Sequence, residues 1–230
     1  MSDVIGSTAR IVGGLKATHG RVSASSRLVP EEVPIAFSYA GSTHAVMMAT
    51  PDDLEDFAVG FSLAEGIIAG AEDVVSIEAI EAGEGIDVQV TLKEMTAEAL
   101  VARRRRMAGP VGCGLCGIES IEQASRAVKP VADDGFSMSA RDVGQAMAQL
   151  TARQDLNRQT RAVHGAGFYS LRQGLVAIRE DVGRHNALDK LVGAVVIGGW
   201  DPAQGAVVVT SRLSVEMVQK TAIIGSPFII

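Results

Sequence analysis

Cysteine and aromatic residues are scarce in this sequence: of 230 residues only two are cysteine and one is tryptophan, and aromatic side chains make up 4%. Two thiols are too few for the disulfide framework that stabilises small secreted domains. No apolar run reaches the length of about 18 residues that predicts a membrane span, and the N-terminus lacks the apolar centre of a secretion signal. We therefore expect a cytoplasmic protein with reduced thiols and no membrane partner.

An excess of positive charge is also missing, because 21 lysines and arginines face 27 aspartates and glutamates and give a formal net charge of −6. Dedicated nucleic-acid-binding domains are normally basic, so we expect no nucleic-acid partner. Hydrophobic residues nevertheless make up 47% of the chain. This content is sufficient for a sizeable core in a folded protein.

The pattern of hydrophobic residues divides the chain into three parts. Residues 1–30 are rich in Gly, Ser, Ala and Arg without a clear period, and we expect a flexible leader there. Residues 31–108 contain an N-terminal group of strands and helices, with one helix predicted over 50–66 and capped by Thr50. Residues 109–230 alternate strands with helices, which predicts an α/β core and favours a parallel sheet with helices on its faces.

Both cysteines lie in the segment GPVGCGLCGIESIE, where Cys113 and Cys116 are separated by Gly114 and Leu115. Four arginines, residues 103–106, precede the segment, and a predicted helix, IESIEQASRAV, follows it. Nearby cations and a helix N-terminus both lower the pKa of a thiol and raise its thiolate fraction. Glycines let the backbone bend and let a partner approach closely. The pattern therefore predicts two accessible, activated thiols on a movable loop.

Four interpretations of this cysteine pair are open from the residues alone. The thiols are either small buried hydrophobes, zinc ligands shared across a dimer, a redox pair, or a nucleophile that carries a group such as a persulfide. A thioredoxin-type redox motif would open a helix after the first strand of a βαβ unit, whereas this pair falls late in the chain. Zinc deaminase chemistry is excluded, because no histidine here is followed two positions later by the required glutamate.

Polar side chains follow two predicted strands in the last third of the chain. The cluster REDVGRHNALDK joins one strand to a helix, and TSRLSVEM joins the next strand to another helix. Ligands bind beyond the carboxyl ends of strands in open α/β sheets, and helix N-termini favour anions, so we predict one pocket for a phosphorylated ligand. Helix capping by Ser214 and solvation of Asp189 and Lys190 are the alternatives. The candidate binding residues are Arg184, His185, Asn186, Ser211, Arg212 and Ser214.

Together these motifs resemble one family, the formate dehydrogenase accessory sulfurtransferases called FdhD. The matching segments occur in the family's order: EEVPIAFSY, HAVMMATPDDLEDFAVGFSLAEGII, RRRRMAGPVGCGLCGIE, VHGAGFY, EDVGRHNALDKLVGA and TSRLSVEMVQKTA. The sequence departs from the family pattern at Val111, where the family usually has threonine. The family also continues past the position of Ile230 to a basic, glycine-containing segment. Because this chain stops inside the apolar run SPFII, we expect the natural protein to continue.

The resemblance implies a fold, a reaction and partners. The fold would be a three-layer α-β-α core similar to that of cytidine deaminases, with a smaller N-terminal α+β part, usually in a homodimer. Cys113, assisted by Cys116, would carry persulfide sulfur from a cysteine desulfurase to the molybdenum or tungsten bis(molybdopterin guanine dinucleotide) cofactor of formate dehydrogenase. That cofactor would be a transient ligand, with no cofactor or metal permanently bound. The alternatives are a cofactor chaperone without sulfur transfer and a zinc-stabilised dimer.

Overall fold

The computed structural model describes residues 7–107, 130–132 and 135–230 of the chain. These residues form two four-stranded sheets, a two-stranded ribbon and several helices, which bears out a mixed α/β protein. None of the described helices is long and apolar enough to cross a membrane. The strands are β1 (Ala9–Thr18), β2 (Arg21–Pro30), β3 (Val33–Tyr39), β4 (Ser42–Ala49), β5 (Val74–Ala82), β6 (Gly85–Leu92), β7 (His164–Ser170), β8 (Gly174–Asp181), β9 (Gly205–Val209) and β10 (Phe228–Ile229). The α-helices are α1 (Leu54–Ala64), α2 (Glu94–Met107), α3 (Ala140–Arg153), α4 (Asp155–Thr160), α5 (Arg184–Ile197) and α6 (Val215–Ile223).

Both cysteines and the predicted helix IESIEQASRAV lie outside the described residues. Helix α2 contains the four arginines of residues 103–106, as the sequence predicts.

The first sheet has the strand order β4-β3-β6-β5. Strands β3 and β4 form one antiparallel hairpin and β5 and β6 form another, and β3 and β6 run parallel to each other. Alternate residues of β3 and β6 are buried against α1, where the ring of Phe37 stacks on Phe61 at 4.5 Å and meets Phe57 edge-on at 4.9 Å. This packing follows from the period-two pattern of the strands and the helical period of α1.

The predicted start of α1 is wrong by one turn. The helix begins at Leu54 rather than after Thr50, and Asp53 precedes it with a left-handed backbone, at φ 52°. Thr50 does not cap the helix, because its backbone bonds to Asp181 of β8 and Lys190 of α5, and its hydroxyl accepts from the N–H of Val182 between these elements. A long-range network therefore overrides the local capping preference of threonine.

The second sheet has the order β10-β9-β7-β8 and is mixed rather than parallel. The expectation of a parallel sheet is wrong because β7 is antiparallel to both of its neighbours, β8 and β9, and only β9 and β10 pair in parallel. Strand β7, which the sequence analysis did not predict, separates β8 from β9. Since both run opposite to β7, β8 and β9 share a direction, and their carboxyl ends lie at the same edge.

Helices cover both faces of this second sheet. Phe168 and Val207 are buried in the core that contains α5, whereas Tyr169 and Val208 are buried with Leu150 of α3. Helix α1 packs between α5 and the first sheet. Helix α5 is therefore buried for most of its length and fixes the position of the junction that precedes it.

Residues 9–30, which fall in the predicted leader, pair along their whole length as an antiparallel ribbon of β1 and β2. The sequence analysis did not predict these strands. Most of their side chains are exposed, so the ribbon adds almost nothing to the core.

Two glycines allow α1 and α5 to cross at close range. A Cβ atom built on Gly60 would lie 1.7 Å from the carbonyl oxygen of Asp189, and one built on Gly193 would lie 1.9 Å from that of Asp56. Backbone atoms cannot move aside as a flexible side chain can, so any larger residue would force the helices apart.

Replacing Gly193 with alanine should therefore destabilise the protein by about 3 kcal/mol, through overpacking at the helix crossing. Gly144→Ala is a matched control, because Gly144 is also helical but its added Cβ would meet no atom within 4 Å. The control should stabilise the protein by about 0.5–1 kcal/mol through helix propensity. Urea unfolding measures both, and equal effects of the two variants would contradict the close crossing.

Candidate functional site

The two predicted polar junctions meet at one edge of the second sheet. Strand β8 ends at Asp181 before α5, and β9 ends at Val209 before α6. The first turns of the two helices are in contact, since His185 Nε2 lies 2.9 Å from Glu216 Oε2. Two helix N-termini therefore face a common region, as the sequence predicts, and their free N–H groups favour an anion there.

Three buried polar atoms in this region have no hydrogen-bond partner among the described residues: Arg184 Nε, His185 Nε2 and Ser214 Oγ. The contact between His185 and Glu216 is close, but it is not aligned as a hydrogen bond. Ser214 holds the N-cap position of α6, yet its side chain makes no capping bond, so capping does not account for it. Buried polar atoms are normally paired, so these three mark this edge as a candidate binding site.

The remaining candidates at this edge differ in exposure. Arg212 is exposed to solvent, and Ser211 Oγ donates to the carbonyl oxygen of Arg212 at 3.1 Å. Burial lowers the pKa of His185, and the nearby positive charge of Lys220 lowers it further. The imidazole is therefore held neutral near pH 7, so His185 adds no positive charge to the site.

Asn186 is placed differently from the other candidates because it belongs to a buried network. Its Nδ2 donates to Asp181 Oδ1 at 2.9 Å and to the carbonyl oxygen of Met48 at 2.9 Å. Both amide hydrogens are thereby used, and the residue is 4% exposed. This geometry gives Asn186 a role in holding the start of α5, and a direct contact with a ligand stays a prediction.

The centre of that network is a buried ion pair. Lys190 and Asp181 are both 0% exposed, and Lys190 Nζ lies 2.8 Å from Asp181 Oδ2. Lys190 also donates to the carbonyl oxygen of Thr50 at 2.8 Å, and the Thr50 N–H donates to Asp181 Oδ2 at 3.0 Å. The other oxygen, Oδ1, accepts from the N–H of Gly183 at 2.7 Å. The network thus joins β8, α5 and the segment before α1.

A second buried acid lies one position before Lys190. Both oxygens of Asp189 are 2.6 Å from Lys220 Nζ of α6, and burial raises the pKa of Asp189. The alternative that Asp189 and Lys190 are solvated is therefore wrong, because both are 0% exposed. This pair ties α6 to α5 beneath the candidate site.

Sequence reasoning identified Asp181 as part of the cluster but missed the roles of Thr50 and Lys190. A signal was present for Lys190, since Asn186 and Lys190 are four residues apart and share one helix face. No such signal pointed to Thr50, which reaches the network from a distant part of the chain.

Asp53, which lies beside this network, has a carboxyl group with a raised pKa that can be tested. Burial raises its pKa to about 6, and the positive charge of Arg179, 3.3 Å away, only partly opposes the increase. The folded chain then holds the proton more tightly than the unfolded chain. The stability due to Asp53 should be fully present below pH 3.8 and lost as the pH rises through 6.

We expect the Asp53→Asn variant to gain stability relative to the wild type as the pH is raised from 4 to 7, by about 1–2 kcal/mol. Asparagine tolerates the left-handed backbone at this position, so the substitution changes mainly the charge. Urea unfolding of both proteins at the two pH values measures the difference, and a difference that does not vary with pH would contradict the raised pKa.

The fold and this edge define a class of protein: a mixed α/β protein whose second sheet carries, at one edge, two helix N-termini and buried polar atoms that have no partner among the described residues. The profile of the FdhD/NarQ family matches residues 30–230. The chain therefore belongs to the FdhD/NarQ family.

Individual relatives agree with this assignment. The sulfur carrier protein FdhD of Agrobacterium fabrum is 64% identical over 208 residues, which cover 90% of this chain and 77% of that protein. The sulfur carrier protein FdhD of Brucella abortus is 55% identical over 203 residues, which cover 88% of this chain and 76% of that protein. A crystal structure described as a formate dehydrogenase accessory protein from Desulfotalea psychrophila superposes with a TM-score of 0.72 at 25% identity and covers 97% of this chain and 82% of that one.

Proposed function

We propose that this protein is a sulfurtransferase that serves formate dehydrogenase. The names of its relatives, sulfur carrier protein and formate dehydrogenase accessory protein, support this role. In the proposed reaction a cysteine desulfurase donates persulfide sulfur to Cys113. The acceptor is the molybdenum or tungsten bis(molybdopterin guanine dinucleotide) cofactor, bound as a substrate.

The loading step balances without an external oxidant. The thiolate of Cys113 attacks the outer sulfur of the donor persulfide, a new S–S bond forms, and the donor cysteine leaves as a thiolate. In the second step Cys116 attacks the Sγ atom of Cys113, the S–S bond of the persulfide breaks, a Cys113–Cys116 disulfide forms, and the outer sulfur leaves at the sulfide level to bind the cofactor; a thiol reductant then returns the two cysteines to thiols. If Cys113 instead departs as a thiolate, the two electrons that reduce the outer sulfur to sulfide come from the cofactor. The arginines of residues 103–106 would raise the thiolate fraction.

One observation carries the choice of an anionic acceptor: Arg184 Nε and Ser214 Oγ are buried at two adjacent helix N-termini and have no partner in the part of the chain that the structure describes. A guanine dinucleotide carries a pyrophosphate, whose oxygens accept hydrogen bonds from such donors. We assign the diphosphate to Arg184, Ser214 and the N–H groups of α5 and α6, with Arg212, Ser211 and His185 at the rim. Asn186 would hold the start of α5 in place.

GDP, as one arm of this substrate, should bind the wild type and bind Arg184→Ala at least about tenfold more weakly, because a charge-assisted hydrogen bond contributes about 1.5–3 kcal/mol. Arg212→Ala should also weaken binding by about tenfold. Affinity should fall with added salt, since the ligand is a polyanion. Calorimetric titration measures these changes.

Arg172→Ala is the matched control for this titration. Arg172 is an exposed arginine in the turn between β7 and β8, at the opposite edge of the same sheet. It should leave GDP affinity unchanged. If the Arg184 and Arg212 variants bound GDP as tightly as the control, the diphosphate site would not lie at this edge.

Two finer features of the fold belong to the same proposal. We expect the second sheet with its two covering helix layers to correspond to a core similar to that of cytidine deaminases. We also expect a homodimer. A protein that bound the cofactor without accepting sulfur would instead be a chaperone, and zinc in the purified protein would favour a metal-stabilised dimer.

A further inference from the structure

The first residue of β7, His164, lies at the sheet edge that carries the candidate site. Strand β7 is antiparallel to β8 and β9, so it begins where those two strands end. His164 pairs with Asp181, the last residue of β8, and Ala166 pairs with Val209, the last residue of β9. His164 therefore lies in the sheet between the two junctions from which α5 and α6 start.

The imidazole of His164 is on the side of the sheet that α5 and α6 cover. Side chains alternate along a strand, so His164 points the same way as Ala166 and Phe168. Those two residues are buried in the core that contains residues of α5 and Met217 of α6. His164 itself is only partly buried. Because α5 and α6 begin at this edge, the ring lies on their side of the sheet, toward their first turns.

The described part of the chain gives the His164 ring no hydrogen-bond or ion-pair partner. The carboxylate of Asp181, which is opposite in the pairing, is already used. Its oxygens accept from four donors, which belong to Thr50, Gly183, Asn186 and Lys190. A carboxylate offers about four lone-pair positions, so none is left for the histidine. The ring nitrogens are therefore available to a group from outside these residues.

The backbone on both sides of His164 is held in place before any ligand binds. Thr210, the residue after β9, donates its N–H to the carbonyl oxygen of Gly165 at 3.0 Å, and its hydroxyl accepts from the Gly165 N–H at 2.9 Å. On the other side of the histidine, Val163 is buried. A group that is already positioned loses little conformational freedom when it binds, and this favours affinity.

We propose that His164 is a further binding residue of the diphosphate site and contacts a phosphate oxygen from the sheet, between the first turns of α5 and α6. The inference rests on the proposed function, since it takes the diphosphate to bind at this edge. A neutral imidazole has one N–H donor and a protonated imidazole has two, so the ring can donate in either state. Arg184 and Ser214 hold the diphosphate from the helices, and His164 holds it from the sheet.

Calorimetric titration with GDP and with inorganic pyrophosphate tests this contact. His164→Leu removes both ring nitrogens and leaves an apolar side chain in the strand. It should weaken the binding of both ligands at least about tenfold, because a hydrogen bond to a charged group is lost. His164→Gln and His164→Asn are the matched variants, since their amide nitrogens lie near the positions of Nε2 and Nδ1. At least one of them should bind within about threefold of the wild type.

A measurement on the unaltered protein keeps the proposal testable if His164→Leu does not fold. The chain has four histidines, so the imidazole resonances of protein labelled with ¹⁵N-histidine can be resolved, and His164→Gln assigns the one of interest. Pyrophosphate should shift the resonances of His164 and His185. It should leave those of His19 unchanged, because His19 lies in the turn between β1 and β2 at the tip of the ribbon.

The outcomes distinguish this inference from the function on which it rests. A wild type that bound neither GDP nor pyrophosphate would overturn the diphosphate site and His164 with it. If Arg184→Ala lost affinity while His164→Leu did not, or if the His164 resonances did not move, the site would stand without His164. Weakening by the leucine, glutamine and asparagine variants alike would show that the N–H donor is not what matters. Weaker binding of GDP with unchanged binding of pyrophosphate would assign His164 to the nucleoside, which contradicts the proposed contact.

Discussion

Replacing Cys113 with serine should abolish the loading of sulfur from a cysteine desulfurase. A serine hydroxyl is not ionised at neutral pH and does not form a persulfide, so no acceptor would remain at the proposed position. Incubation with a desulfurase and cysteine, followed by peptide mass mapping, should show one added sulfur atom on the wild-type peptide that contains Cys113. The variant should show no increment, and its fold should be unchanged by circular dichroism.

Cys116→Ser is the matched control, because it removes the same atom three residues away. It should still accept sulfur at Cys113, with slower release if Cys116 resolves the persulfide. Sulfur found only on Cys116 would reverse the two assignments. Loading of neither residue would favour a chaperone that holds the cofactor and transfers no sulfur.

Replacing Lys190 with methionine should destabilise the protein by about 3–5 kcal/mol, because it leaves the buried carboxylate of Asp181 without its counter-charge. Methionine keeps most of the volume, so packing changes little. The free energy of unfolding lost in this variant should exceed the loss from breaking a solvent-exposed ion pair. Arg158→Met is the control, since Arg158 pairs with Asp155 at 2.5 Å and their side chains are 59% and 71% exposed. Arg158→Met should lower the free energy of unfolding, measured in urea, by less than about 1 kcal/mol.

The double variant Asp181→Asn with Lys190→Met separates the charge effect from packing. Removing both charges should cost less than the sum of the two single losses, because no unpaired charge stays buried. Strict additivity would show that the two groups act independently. It would contradict the view that this pair fixes the start of α5.

The sequence located the two polar junctions better than it predicted the directions of the strands that lead to them. Arg184 and Arg212 could be assigned to adjacent junctions because each follows a recognisable buried strand and precedes a helix. The direction of pairing was missed because it depends on β7, whose sequence HGAGFYS does not have the alternation of a strand. Gly167 is required there by packing, since a Cβ atom would lie 2.7 Å from Leu175 Cδ1 and 3.1 Å from Leu150 Cδ1.

Local sequence preferences also could not predict the long-range polar contacts. Thr50 has the sequence context of a helix cap, and only the tertiary contact with Asp181 and Lys190 assigns it another role. Ser214 has the same context and does hold the cap position, yet its hydroxyl makes no capping bond. Local preference therefore placed Ser214 correctly and Thr50 wrongly at the start of a helix, and in neither case could it say which groups the side chain would meet.

The most direct test of the proposed function follows the sulfur after loading. The protein is charged with isotopically labelled sulfur, freed of desulfurase, and mixed with cofactor-bearing formate dehydrogenase that lacks the added sulfur. The label should leave Cys113, appear in the extracted cofactor and accompany a gain of formate oxidation, and Arg184→Ala should slow this transfer. Label that stays on the protein while the enzyme gains activity would contradict sulfur transfer and leave cofactor delivery as the function.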